Sequence, residues 1–192
     1  MATTSPTPPY TLGDADTECR YPVIIGADVP GRVFRWHREW FADTSEGEHN
    51  LGRPPKGTNG VDMAAAYVAE EYAAGRITVV PLAEEPRPTA GYVPLLHPRM
   101  PETPRNVQAA KTAFAALAEH RWQPVRTGFP GSDNPWYLAC QMPGCTWEGP
   151  RYWSHLRGRN GNPPSPHRHP GGCIGKERVQ ALIPAYRMRK TG

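Results

Sequence analysis

The chain has 192 residues, 24 of them Pro and 19 Gly. Leu, Ile, Val and Phe together number 29, about 15%, below the roughly 20% at which a chain struggles to fill a core. That balance argues against one well-packed globule and for small ordered units joined by irregular chain, with 6 Trp and 8 Tyr replacing part of the missing aliphatic volume. The formal net charge is +4, and no apolar run approaches the roughly 18 residues of a membrane-spanning helix.

The N-terminal stretch lacks the basic head and apolar run of a secretory signal, so a cytoplasmic setting with reduced thiols is expected. The 4 Cys then read as metal ligands or free thiols rather than as a disulfide framework. The fold class expected is α+β: a small N-terminal α/β unit, a Pro-rich linker, then an amphipathic helix with a small zinc-stapled β-hairpin/helix module.

Residues 1–20 are polar and rich in Thr, Pro and Ser, which predicts a disordered tail. Lone Cys19 falls there as a free thiol with no role. Residues 21–83 predict a small α+β unit. Tyr21–Ala27 suits a buried strand; between Asp28 and Asp43 the aromatic positions fit both a helical and a two-residue period, leaving two readings open. Residues 44–60 are turn and loop chemistry. Asp62 can cap a helix that Gly75 ends, and Arg76–Leu82 predicts a strand stopped by Pro81.

Residues 84–103 carry Pro86, Pro88, Pro94, Pro98 and Pro101, a density that prevents helix and predicts an extended linker or a chain draped over a surface, docked by Leu95 and Leu96. Residues 104–192 open with the best helix in the chain. Thr103 is its cap, Pro104 its first residue, and Val107, Ala110, Phe114 and Leu117 share one face down to about Arg121. Trp122 can join the core that face meets.

Charge is unevenly spread. Residues 1–103 carry 9 Lys/Arg against 14 Asp/Glu, and residues 104–192 carry 13 against 4. Such asymmetry points to a polyanion partner for the basic half.

Three Cys and three His fall between Cys140 and Cys173. Cys140 and Cys145 flank Gln-Met-Pro-Gly, and a Pro-Gly turn brings two thiolates to one point, the usual first half of a structural zinc site. The segments Trp136–Leu138 and Thr146–Trp147 predict strands around that turn. Cys173 is the third ligand. His169 comes first for the fourth, then His155, then His167; His167 and His169 stand two apart in an extended segment and should point to opposite sides.

CQMPGC, Trp147 and HPGGC together resemble the Cys-Cys-His-Cys and treble-clef-like zinc fingers of actinobacteria and their phages, over residues 136–175 only. An Arg to Lys ratio of 18 to 4 suits the same GC-rich source. The familiar two-Cys, two-His finger places about twelve residues between its second Cys and first His. Here nine precede His155 and twenty-one precede His167, so the reading helix of that class does not carry over.

Arg151, Arg157, Arg159, Arg168, Lys176, Arg178, Arg187, Arg189 and Lys190 surround the proposed ion, interleaved with Tyr152, Trp153 and Tyr186. Cations that hold phosphate beside rings that stack on bases are the chemistry of a nucleic-acid contact. The expectation is therefore a non-enzymatic, zinc-binding accessory or regulatory protein that contacts DNA or RNA. Two alternatives stand beside it. One is a protein-binding adaptor or phage-encoded inhibitor acting through residues 21–103, with zinc only as scaffold. The other is a His-Asn-His-type metal-dependent nuclease using His155, Asn160 and His167 or His169; no paired carboxylates or adjoining general-base dipeptide accompany them.

Overall fold

A computed structural model describes residues 7–85, 91–158, 167 and 169–183. The chain divides into two compact units, Met1–Thr89 and Ala90–Gly192. Each combines antiparallel sheet with helix, an α+β architecture. No helix among the described residues is long and apolar enough to cross a membrane.

In the first unit, β1 (Thr11–Leu12), β2 (Tyr21–Ile25), β3 (Asp28–Trp36), β4 (Glu39–Thr44) and β5 (Gly47–Gly52) lie side by side in chain order, every neighbour antiparallel. Helix α1 (Gly60–Ala73) packs Ala64, Ala65, Val68 and Ala69 against Val23, Val33 and Ala42 of the sheet. The small alanines let the helix backbone approach closely, which is how a chain short of large aliphatics closes a core. A Cβ at Gly60 would overlap the Trp40 indole, so the helix starts with a glycine under that ring.

The two-residue period wins between Asp28 and Asp43. Val33 and Ala42 are paired and fully buried beneath α1, while the adjacent pair, Phe34 and Phe41, stacks at 5.1 Å and 8° between ring planes. His37 and Arg38 turn the hairpin with φ of 47° and 72°. Such turns normally carry Asn or Gly, so the sequence hid this one.

Other expectations are corrected. Residues 7–20 are not a disordered tail: β1 pairs Thr11 with Ile24 and Leu12 with Val23, Ala15 and Cys19 are buried, and the Asp16 carboxylate accepts from the Glu18 and Arg20 N–H groups. The loop reading of 44–60 missed β5, an edge strand whose Glu48, His49 and Asn50 carry no apolar pattern. The helix is capped by Asn59, not Asp62, which sits in the first turn. The strand expected at 76–82 shrinks to β6 (Val80–Pro81), paired with the start of β3 and followed by a 3-10 turn at Leu82–Glu84.

In the second unit, Leu95 and Leu96 dock the Pro-rich stretch on the core; the Phe129 N–H donates to the Leu95 carbonyl and His97 N–H to the Phe129 carbonyl. Helix α2 (Pro104–Glu119) begins as its sequence implies, with Thr103 Oγ1 accepting from Asn106 N–H and proline at the first position. Its buried face is Ala110, Ala113 and Leu117, with Phe114 packed beside them. A three-stranded antiparallel sheet follows: β7 (Trp122–Pro124), β8 (Pro135–Cys140) and β9 (Glu148–Tyr152), so the last strand starts just beyond Trp147 rather than at Thr146. Short helices α3 (Trp153–Leu156) and α4 (Lys176–Leu182) complete the described chain.

Trp136 fills the middle of this unit. It is fully buried, its Nε1–H donates to the Thr127 carbonyl at 3.0 Å, and Phe114 and Phe129 meet it edge-on at 5.2 and 5.3 Å. A satisfied indole with two edge-to-face partners supplies more contact area than any single aliphatic, and each aromatic pair adds about 1 kcal/mol beyond that area.

Candidate metal centre

The centre is built at the end of β8, where Cys140 closes the strand opposite Trp122 of β7. Cys140 N–H donates to the Trp147 carbonyl, and Cys145 N–H closes a turn on the Met142 carbonyl at 3.0 Å. Pro143 and Gly144 occupy the corners of that turn, with Gly144 at φ 78°, the pattern of a type II turn. His169-Pro170-Gly171-Gly172 repeats the device: Gly172 N–H donates to the His169 carbonyl and Gly171 sits at φ 77°. Two Pro-Gly turns thus present the two halves of the donor set.

The ligand atoms of Cys140, Cys145, His169 and Cys173 all lie within 4.8 Å of one another. Cys140 Sγ is 3.7 Å from Cys173 Sγ, and Cys145 Sγ is 3.2 Å from His169 Nε2. A tetrahedral zinc with bonds of about 2.3 Å to sulfur and about 2.0 Å to nitrogen needs edges of about 3.8 Å between sulfurs and about 3.5 Å between sulfur and nitrogen. Those two separations are close to these edges, and this group can hold a metal ion such as zinc. Three thiolates and an imidazole are soft to borderline donors, which suit zinc over magnesium or calcium.

Burial pushes the Cys140 thiol up to about 12, with Cys145 and Cys173 beside it adding to the effect. An ion bound there would have to displace the thiol protons, so its affinity should rise with pH. The outer side opens on a shallow depression of about 500 Å³, lined in part by Cys145, Trp147, His169 and Cys173, which gives an ion a way in.

Aromatic rings frame the cluster. His169 stacks on Trp147 at 4.7 Å and 10°, and its Nδ1–H donates to the Pro170 carbonyl at 2.9 Å. Because Nδ1 donates, the neutral ring keeps its lone pair on Nε2, facing Cys145. A Cβ at Gly149 would lie 2.6 Å from Trp147 Cζ2, so the ring reaches His169 by lying across a glycine.

His167 corrects the expectation that the two neighbouring histidines diverge. It is buried, its Nε2 lies 3.2 Å from Cys140 Sγ, and burial pulls its imidazole down to about 4. Strict alternation would turn the two rings to opposite sides, yet each Nε2 faces a cysteine of the same turn. His155 stays outside the cluster, exposed on α3 with its ring 5.4 Å from Tyr152. Cys19 belongs to the first unit's turn and is not in the donor group.

The basic residues divide. The Arg151 guanidinium lies 5.5 Å over the Trp122 ring, half-buried, so it packs the centre as well as charging it. Arg157 is exposed and donates to Ser132 Oγ at 3.4 Å, Arg178 is exposed on α4, and Lys176 opens that helix. Arg159, Arg168, Arg187, Arg189 and Lys190, with Asn160, lie outside the described residues. Sequence reasoning undervalued Trp122, which stacks on His167 at 4.2 Å and meets Trp147 edge-on at 5.8 Å. Its only signal was position, just past the end of α2.

Fold and site together define an α+β chain of two units, the second carrying a Cys-Cys-His-Cys group able to bind a metal. Set against known proteins, the chain matches no family model, no curated protein and no solved structure.

Proposed function

We propose that the second unit is a zinc-stapled module through which this protein contacts nucleic acid, as an accessory or regulatory protein and not as a catalyst. The observation that carries the reading is the convergence of Cys140, Cys145, His169 and Cys173 within 4.8 Å. Four protein donors fill a tetrahedral shell and leave no corner for a reacting water, the mark of a structural rather than a catalytic zinc. The resemblance to Cys-Cys-His-Cys fingers belongs to the same reading.

The nucleic-acid part is supported by charge: residues 104–192 carry 13 Lys/Arg against 4 Asp/Glu, and Arg157 and Arg178 stand exposed in the same unit as the donor cluster. Exposed guanidiniums hold phosphates and release counterions, so affinity should fall with salt by a log–log slope of about −0.9 per phosphate contact on duplex DNA. Titration of zinc-loaded protein with labelled DNA and RNA at two ionic strengths tests this. A steep loss of affinity is expected. Affinity that is absent, or flat between low and moderate salt, overturns the nucleic-acid reading and leaves the zinc as scaffold for another partner.

A further inference from the structure

Beside the donor set stands one imidazole more than a tetrahedral ion needs. His167 is absent from the four-donor group, yet it is built as His169 is. Its Nδ1–H donates to a backbone carbonyl, that of His120 at 3.1 Å, just as His169 donates to Pro170. Its ring lies on an indole, Trp122 at 4.2 Å and 21°, just as His169 lies on Trp147. Its Nε2 faces one cysteine of the 140–145 turn at 3.2 Å, and His169 faces the other at the same distance.

A carbonyl that fixes the tautomer and a surface that fixes the ring plane are what orient a metal-ligating histidine. With Nδ1–H donating, the lone pair on Nε2 faces Cys140 Sγ, where it accepts the thiol S–H when no ion is bound and is free to meet an ion when that sulfur is lost. The 3.2 Å separation is also close to the roughly 3.5 Å sulfur–nitrogen edge of a tetrahedral zinc. His167 therefore lies about one coordination edge from the corner that Cys140 occupies.

We propose that His167 is a reserve ligand for the Cys140 corner, so that a centre losing the Cys140 thiolate as a donor keeps its ion as a Cys2His2 site of Cys145, Cys173, His169 and His167. This rests on the metal reading above. It gives the centre a property that four donors alone lack: metal retention after loss of the sulfur that ends β8.

A double-mutant cycle on the full chain tests it, with Co²⁺ as the probe. The tetrahedral d–d bands read geometry, the sulfur-to-cobalt charge-transfer band counts thiolates, and competition with a chelator gives affinity. Wild type is expected to bind one Co²⁺ with three thiolates. Cys140→Ala should still bind one, tetrahedrally, with two thiolates. Cys140→Ala combined with His167→Ala should lose about 100-fold or more relative to Cys140→Ala, whereas His167→Ala in the wild-type background should lose less than about 10-fold, so the two sites couple. Near-UV circular dichroism checks that each variant is folded, and Cys140→Ser, which keeps the side-chain volume, is read the same way if alanine unfolds the unit.

Equal Co²⁺ affinity in Cys140→Ala and the double variant overturns the proposal. So does loss of tetrahedral binding in both folded Cys140 single variants. Failure of the wild-type chain to bind Co²⁺ or Zn²⁺ at all is a different result: it removes the metal reading itself.

Discussion

At Cys140 a strand end, a turn and a buried thiol meet, and the residues around it decide whether an ion is held. Gly149 allows Trp147 to lie across the chain and hold the His169 ring. Gly149→Val should displace that indole and weaken zinc affinity by about 10- to 100-fold, the usual effect of removing a ligand's orienting partner; chelator competition reads it, and unchanged affinity would show that Trp147 does not position His169. Trp122 makes a second test. It is buried, and its Nε1 finds no hydrogen-bond partner among the described residues. Trp122→Phe keeps an aromatic surface for His167 and removes the orphan donor, so it should cost far less than Trp122→Ala, for which about 3–5 kcal/mol is expected in denaturant unfolding. The Trp147–His169 and Trp122–His167 contacts were hidden in the sequence because they join residues far apart in the chain. The Cys140–Cys145 turn was visible because Pro143-Gly144 encodes it locally.

Among the elements, those with local instructions were readable and those without were not. α2 carries a cap, a proline at its first position and an apolar face, and it forms where these imply. Thr103→Ala should cost the second unit about 1 kcal/mol by removing the acceptor for Asn106 N–H; urea unfolding with an unchanged m-value measures it. The β3–β4 hairpin was ambiguous because His37 and Arg38 take the positive φ that Gly or Asn would announce. β5 was missed because its stability lies in pairing with β4 rather than in its own apolar residues. His169 was placed first among the histidines on its spacing from Cys173, and it is the one that lies with the three cysteines within 4.8 Å, carried there by the second Pro-Gly turn. His167 was placed last because alternation turns it away from His169, whereas its Nε2 faces Cys140.

For the molecule as a whole, two units with separate cores predict two unfolding events. The first core is closed by alanines under a sheet, with Val23 and Val33; the second depends on Trp136, Leu117 and the donor cluster. Structural zinc contributes about 10–16 kcal/mol of folding free energy in small fingers, so removing it should act on the second unit alone. Calorimetry of the full chain should show one transition unmoved by chelator and a second that collapses. A single transition that ignores chelator would show that the ion, if bound, stabilises nothing. Charge was readable from composition, but not which guanidiniums stay available: Arg151 is committed to Trp122, while Arg157 and Arg178 are exposed.

The most direct measurement is X-ray absorption at the zinc edge of the full chain, with metal stoichiometry determined on the same sample. One zinc per chain is predicted, with three sulfurs at about 2.3 Å and one nitrogen at about 2.0 Å. A folded chain that binds no zinc, or a bound ion surrounded mainly by oxygen, would contradict it.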